Sequence, residues 1–497
     1  MLLILCGGSL RAQSNAQRAA DLLAPPKSSR GDLPAPSTSA GDFPALPPDP
    51  YQDQLPPLPP LEEELWKHGG SHIYAPEGDR WNWPQYPTAP YEVLRSPESQ
   101  QRPEPLVIGG EYVGTGPIES FQTPLSPYAW SPQLVGYGNL RLFGFALQEN
   151  RVRRDAVGLQ WEVELDLKLT ATERFHVQFR PFGRGDSGGS YYAINGNDLQ
   201  ANLSLEPSRY WFEGELHSFL GWERDPTSAA AFHLAVGKMP LQLHNSLLAN
   251  DEVLGVILSR NTIPLGPLSN LNAQLFAVWN DLQAFEDNDG RGVGVHLSAD
   301  YQRVFYEATY AYANHADVSA DAHLLALSRT QLLGPYALAG RAMTRWSDSG
   351  GSGQLFVLES NWTRYVDSKP LGIEYGVAYC NAFYASDNWR SLGGGNFNRL
   401  NLSFEANPLT RLAAGGSGVE TWGAVLGVQL FRDHENESWI PELAWENRGG
   451  EAVWGMGLRW QRKSGPRSYW EASGVVNFSD DSRYDRDGLF LSKVLAF

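Results

Sequence analysis

Residues 159–169 read LQWEVELDLKL, with Leu159, Trp161, Val163, Leu165, Leu167 and Leu169 on alternate positions and Gln160, Glu162, Glu164, Asp166 and Lys168 between them. A period of two marks a strand whose faces meet different surroundings, because successive side chains point to opposite sides of the pleat. Its length carries the argument further. Strands of globular proteins run about five or six residues, whereas a tilted strand needs about 9 to 11 to cross the apolar part of a bilayer. The next segment repeats the pattern, with Phe175, Val177 and Phe179 on one side and His176, Gln178 and Arg180 on the other.

Segments of this type recur from Gly138 to Phe497, including 138–147, 198–206, 209–220, 231–239, 268–279, 398–407 and 420–432, for nineteen in all. A bacterial single-chain barrel has an even number of strands, so one segment is surplus or two are one. The expected fold is all-β: a transmembrane antiparallel β-barrel of 16 to 18 strands over residues 138–497. The connections 382–397 and 408–419 disturb the alternation of short and long loops that such a barrel shows.

Composition excludes other classes. The mean hydropathy is −0.36 and the longest apolar run at the start is Leu2–Cys6, far short of a membrane-spanning helix. A net charge of −17 and the lack of a dense Lys/Arg cluster argue against nucleic-acid binding. Of the two cysteines, Cys6 falls in a targeting-like stretch, which leaves Cys380 without an intramolecular partner and rules out a structural disulfide or a zinc cluster. No cofactor motif is present. A secreted or periplasmic β protein and a membrane barrel remain, and mean hydropathy cannot separate them because a barrel strand averages to polar.

Ahead of the alternating region the composition shifts: 23 of the 34 prolines occur up to Pro132. Residues 1–14 resemble the end of an export signal with cleavage near Ala12, without a basic leading segment. Leu5 is too bulky, immediately before Cys6, for lipoprotein processing. Residues 15–61, with APP, PALPPDP and LPPLPPL, form a Pro-rich, largely disordered linker, since prolines lack the backbone donor and fix φ. Residues 62–137 are an N-terminal extension, either a plug or a segment lying on another surface.

Tryptophans crowd the segment ends: Trp211, Trp222, Trp279, Trp346, Trp362, Trp422, Trp439, Trp445, Trp460 and Trp470. Indole rings are stable at a headgroup boundary, where one edge is wet and the body apolar. The last segment, GLFLSKVLAF, puts Leu489, Leu491, Leu495 and Phe497 on one side, with Lys493 departing from the pattern. It resembles the terminal strand of outer-membrane β-barrel proteins, whose final Phe is part of the assembly signal. RLFGFALQE (141–149), the long hairpin after it and FHLAVGKMPL (232–241) look like the opening of carbohydrate- and phosphate-selective porins. The resemblance covers residues 138–497 in pattern and is specific only at the C-terminus. It implies a monomer or homotrimer in the bacterial outer membrane, assembled by the barrel assembly machinery, in contact with lipid and passing small hydrophilic solutes.

If the apolar side meets lipid, the other side lines a pore. Glu162, Glu164, Asp166, Lys168, His176, Arg180, Glu213, Glu215 and His217 then face water from neighbouring strands, continued by Arg341, Arg345, Glu442, Glu446, Arg459 and Glu471. Mixed-sign charges across a pore set up a transverse field that orients dipolar solutes. The stretch from Pro240 to Pro267 is long and partly apolar; Leu247, Leu248, Val253, Leu254, Val256 and Ile257 need cover. It reads as a constriction loop folded inward, exposing His244, Asn245, Asn250, Asp251, Glu252 and Arg260 to the channel, or else as one more strand or a short helix.

Two motifs suggest other chemistry. Gly185-Asp186-Ser187-Gly188-Gly189 matches a serine-protease nucleophile loop, but none of His68, His72 and His176 stands in a suitable context, and a Gly/Ser/Asp surface loop suffices. Glu286-Asp287-Asn288-Asp289-Gly290 has calcium-loop character, with Phe285 where the first carboxylate belongs. The leading reading is a non-enzymatic passive channel. Its competitors are a secreted carbohydrate-binding or adhesive β protein, which leaves the long alternation unexplained, and a barrel enzyme, which needs a catalytic constellation at a rim.

Overall fold

The computed structural model describes residues 132–497 apart from 150, 171, 184–188, 217–230, 286–289, 316–319, 348–350, 369, 394–417 and 482–484. Ahead of these it gives the backbone of β1 (Leu106–Gly109), β2 (Phe121–Thr123) and β3 (Ser126–Trp130). The signal-like segment, the Pro-rich linker, His217, Trp222, the segment 398–407, and most of the Gly185–Gly189 and Glu286–Gly290 motifs lie outside the described residues.

The body is a closed antiparallel sheet. Its strands are β4 (Gln133–Glu149), β5 (Val152–Lys168), β6 (Arg174–Phe179), β7 (Ser190–Ala193), β8 (Asp198–Gln200), β9 (Pro207–Glu215), β10 (His233–Leu243), β11 (Ala249–Leu265), β12 (Leu268–Leu282), β13 (Gly290–Tyr301), β14 (Val304–His315), β15 (Asp321–Leu333), β16 (Tyr336–Ser347), β17 (Gly351–Ser368), β18 (Ile373–Ala385), β19 (Thr421–Arg432), β20 (Glu437–Arg448), β21 (Glu451–Gly465), β22 (Ser468–Ser479) and β23 (Arg486–Ala496). The ring runs β4-β5-β6-β9-β10 and onward in order to β23, which pairs back with β4, giving 18 wall strands among the described residues. Closure leaves no sheet edge, the condition under which strands can stand in lipid.

The count agrees with the expected 16 to 18, although two segments were misassigned. β6 and β7 lie end to end along one edge of β5, and β8 and β9 follow them as one interrupted strand, so 198–206 and 209–220 are one wall element. Conversely, residues 249–265 of the supposed loop are a full strand, β11, paired with β10 and β12. The wall begins at Gln133, five residues ahead of the expected boundary, and β1 pairs with Gln133–Gly136 of β4.

The end of the barrel carrying Gln133 and Phe497 is closed mostly by tight turns. Gly266-Pro267 and Gly334-Pro335 join β11 to β12 and β15 to β16. Gly266 has φ 53° and Gly334 φ 60°, so a glycine followed by φ-restricted proline supplies the type II′ shape that matches strand twist. The opposite end holds the long connection from 386 to 420. With β11 added and 198–220 merged, most short connections fall at the terminal end, the exceptions being the long 216–232 there and the two-residue connections 150–151 and 449–450 at the other end.

Apolar side chains face out: Leu142, Leu327, Leu358, Leu426, Leu443, Met456, Leu489 and Leu491 are all exposed. Aromatic rings flank them at two levels. Tyr336 stacks on Trp362 at 5.8 Å near the terminal end, and Trp346 stacks on His323 at 5.5 Å near the other. Trp439 and Trp460 fall with the first, Trp422, Trp445 and Trp454 with the second. Tyr336 and Trp346 are ten residues apart on β16. At ~3.3 Å per residue and a tilt of about 40°, that is roughly 25 Å along the barrel axis, the height of an apolar membrane band.

Phe497 completes the seam: its N–H donates to the Gly138 carbonyl and its own carbonyl accepts from Gly138 N–H, both at 3.1 Å. A side chain at Gly138 would meet the Glu162 carbonyl oxygen of β5 at 2.1 Å, so β4 and β5 approach more closely beside the seam than a Cβ allows. Deleting Phe497 is expected to lower the yield of assembled barrel while leaving synthesis unchanged, read from the fraction of unboiled protein that migrates faster in a gel.

Candidate functional site: the barrel interior

The alternation of β5 places Glu162, Glu164, Asp166 and Lys168 on the inner face, and register carries that face to its neighbours. Asp166 is the partner of His176, and His176 of Trp211; Arg174 is the partner of Glu213. The result is a continuous polar surface. His176 Nδ1 lies 2.5 Å from Asp166 Oδ1, and the His176 ring stacks on Trp211 with centroids 3.9 Å apart. Gln178 donates to Glu162 at 2.9 Å and to Glu164 at 3.0 Å. Arg174 pairs with Glu213, and Tyr137 donates to Asp166 at 3.3 Å. Glu215 sits opposite His233 toward the terminal end. Trp211, expected among the boundary aromatics, instead faces the interior, because Arg209, Trp211, Glu213 and Glu215 share one side of β9.

Further charged groups line the inner face. Arg341 binds Glu307 and Glu359, each at 3.1 Å, with little solvent access for any of the three. Arg459 donates to Glu471 at 2.9 Å, and Arg141 reaches the other oxygen of that carboxylate at 4.0 Å. Tyr379 donates to Glu442 at 2.5 Å, and Glu446 is fully buried against Arg448. Arg345 donates to the Ala284 carbonyl at 3.1 Å and lies over the Phe285 ring.

The inward-folded part of the 240–267 stretch is the end of the β10–β11 hairpin. The wall partners of β10 stop at Lys238 and those of β11 begin at Leu254, so residues 239–253 pair only with each other among the wall strands. This free length bends into the barrel. His244 Nδ1 is 2.5 Å from Ser328 Oγ on β15, and its Nε2 is 2.8 Å from Thr309 Oγ1 on β14. Leu241, Leu243, Leu247, Leu248 and Val253 are buried in one cluster with Ala311, Ala313, Ala322, Leu324, Ala326, Met343 and Leu355 of the inner wall. Small alanines there leave room for the leucines, as close packing requires. Burial contributes about 1.5–3 kcal/mol per side chain of this size.

Two more segments join it. The 386–393 connection brings Trp389 and Leu392 inside; Leu392 N–H donates to the Leu248 carbonyl at 2.9 Å, and Asn250 N–H to the Gly393 carbonyl at 2.8 Å. Asp251 accepts from Gln283 N–H at 2.8 Å, which ties in the turn after β12. On its other side the hairpin meets the polar wall: Glu252 accepts from Arg209 Nε at 2.7 Å and from Arg180 Nη2 at 3.3 Å. The inward elements therefore cover the apolar part of the interior and leave the Glu162–His176–Glu213 surface on the opposite side of Glu252.

Of the residues assigned to this loop from sequence, His244, Asn245, Asn250, Asp251 and Glu252 belong to the inward hairpin, but His244, Asn250 and Asp251 are buried in its contacts rather than exposed to the channel. Arg260 does not: it stands on the wall part of β11, on the side opposite inward-facing Ser259, with its guanidinium 6.0 Å from the Phe232 ring centroid. Arg174, Gln178, Arg209, Trp211, Glu307 and Glu359 were missed. Extending the alternation of 209–220 along SRYWFEGE would have found Arg209 and Trp211; Glu307 and Glu359 carry no signal until register pairs them with Arg341.

His244, Asn245 and Ser246 all have positive φ, 50°, 57° and 67°, a backbone that L-residues adopt at a cost of roughly 1–2 kcal/mol each. The His244 contacts help hold that turn. His244→Ala is expected to destabilise the folded barrel by about 1–3 kcal/mol, since two buried hydroxyls lose a partner, as measured by denaturant midpoint in detergent.

No family model matches the chain, and no curated protein matches it. Solved structures do. OpdK of Pseudomonas aeruginosa, crystallised with vanillate, is 12% identical, with 73% of this chain and 98% of that one covered, at a TM-score of 0.43. OccK3 (OpdO) of Pseudomonas aeruginosa is 11% identical over 73% and 95%, at 0.44. Wzi of Escherichia coli, described as an outer-membrane carbohydrate-binding β-barrel involved in capsule assembly, is 11% identical over 72% and 84%, at 0.44.

Proposed function

We propose that this chain is a bacterial outer-membrane channel through which small hydrophilic solutes pass passively along the polar side of the barrel, constricted by the 239–253 hairpin. The supporting observation is the division of one closed sheet into an outer apolar face between two aromatic levels and an inner face carrying paired charges. Lipid is the surrounding that an apolar outer face of this height requires, and an inner face with Glu162, Glu164, Asp166, His176 and Arg180 suits water and polar solutes. In this reading Glu252, held between Arg180 and Arg209, stands at the narrowest level. The charges act on solutes by their field rather than by bond-making, and the chain is a non-catalytic channel.

The test is conductance across a planar bilayer with unboiled, detergent-purified protein, boiled protein serving as control. Discrete current steps that boiling abolishes are expected. Protein that shifts on heating in a gel yet gives no steps would reject the channel and leave a closed barrel.

A further inference from the structure

We propose that the outer wall over β15–β17 binds one phospholipid, its phosphate held by Arg329 and one acyl chain lying in a canyon above Gly340 and Ala342. The proposal rests on the membrane reading above and adds a specific site to it.

Arg329 is one of a few cations on the outer face and, among the described residues, lacks the cation–ring contact that its counterparts make. It alternates with Leu325, Leu327 and Leu333 on β15 and is the register partner of outward Tyr306 and Gly340. Gly340 lies four residues from Tyr336 and six from Trp346 on β16, which places this guanidinium inside the apolar band. A charge facing hydrocarbon is costly unless a partner meets it. Other outward cations are met by aromatic rings: Arg260 lies 6.0 Å from the Phe232 ring centroid, Arg364 5.4 Å from that of Trp362, and Lys493 Nζ 4.9 Å from that of Trp470 and 3.2 Å from Ser468 Oγ. Arg329 has Gln331, whose Oε1 accepts from Nη2 at 2.8 Å. Gln331 is one outward step closer to the terminal end, so the guanidinium is drawn toward the nearer headgroup layer, as long cationic side chains are in membranes.

Beside it the wall is concave. A groove of about 810 Å³ is lined on its outer side by Leu327 and Arg329 on one bank and Phe356 and Leu358 on the other. Its floor is Gly340, over which nothing stands within 4 Å of a would-be Cβ, and Ala342. An apolar trough with one cation at its rim has the shape and charge of a site for an acyl chain joined to a phosphate, where guanidinium–phosphate hydrogen bonds are strong. A second copy of this chain fits less well. Among the described residues of β13–β18, no Asp or Glu faces outward between the Tyr336 and Trp346 levels, so an identical neighbour docked at that height would bring no carboxylate to Arg329 from these strands.

The experiment is native mass spectrometry of the full chain in detergent micelles titrated with palmitoyl-oleoyl-phosphatidylglycerol, comparing the natural protein with Arg329→Leu and Gly340→Leu. The first variant removes the cation and the second fills the trough, and neither touches the inner face. One retained lipid is expected for the natural protein, with apparent affinity lowered about tenfold or more in each variant. Equal retention by all three proteins would overturn the site. So would an oligomer that Arg329→Leu dissociates, because the groove would then be a contact between copies. A chain that binds no detergent and shows no heat-dependent gel shift would overturn the membrane reading together with the site. A folded, detergent-bound barrel lacking the lipid would overturn the site alone.

Discussion

Replacing Leu241–Asp251 with Asn-Gly is expected to raise single-channel conductance severalfold while leaving the barrel closed. Pro240 and Glu252 are register partners, so a two-residue turn can join them without disturbing the wall pairs that begin at Leu254. Asn-Gly adopts the positive φ values that such a turn needs. The deletion removes His244 from Ser328 and Thr309, and it takes Leu241, Leu243, Leu247 and Leu248 off the inner wall. The inner wall around Leu324, Met343 and Leu355 would then be wetted, which costs stability but widens the path. A wider deletion into Leu254–Leu258 would confuse the outcome, since those residues pair with β12. Conductance unchanged in a barrel that still shifts on heating would mean that the hairpin does not obstruct flow.

The second large effect concerns the buried Arg341 group. Arg341 is the shared cation of Glu307 and Glu359, and side-chain exposures of 6%, 13% and 4% show how little water reaches the three. Arg341→Met would leave two carboxylates facing each other without a counter-charge. Breaking a buried ion pair by removing one partner costs about 3–5 kcal/mol. The expected result is a clear drop in the denaturant midpoint, read by tryptophan fluorescence of the refolded barrel. The triple variant Arg341→Met, Glu307→Gln, Glu359→Gln is expected to recover much of the loss, because the penalty arises from uncompensated charge rather than lost volume. No recovery would mean that the cost lies in packing. Altered ion selectivity of the single variant, measured from reversal potentials in a salt gradient, would place the group on the conduction path.

Local sequence was sufficient for much of this architecture. In LQWEVELDLKL pleat geometry alone puts Glu162, Glu164 and Asp166 on one side and Leu159, Trp161 and Val163 on the other. Strand length and the ring of aromatics likewise pointed to a closed barrel, and the Gly-Pro pairs at 266–267 and 334–335 mark turns by their backbone preferences.

Tertiary structure decided what periodicity cannot express. In LLANDEVLGVIL (247–258) apolar residues sit on both sides, and the reason emerges only in three dimensions: one part meets the barrel interior and the other belongs to the wall. Inner-face alanines such as Ala311 and Ala322 read as neutral strand positions until a hairpin 60 to 80 residues earlier in the chain packs on them. Which charges pair was also hidden. Arg341 finds Glu307 and Glu359, and Glu252 finds Arg180 and Arg209, through register and through a hairpin that leaves the wall. A strand's own residues fix its faces because alternation is a property of the backbone; what each face meets depends on how the ring closes and on which segments turn inside it.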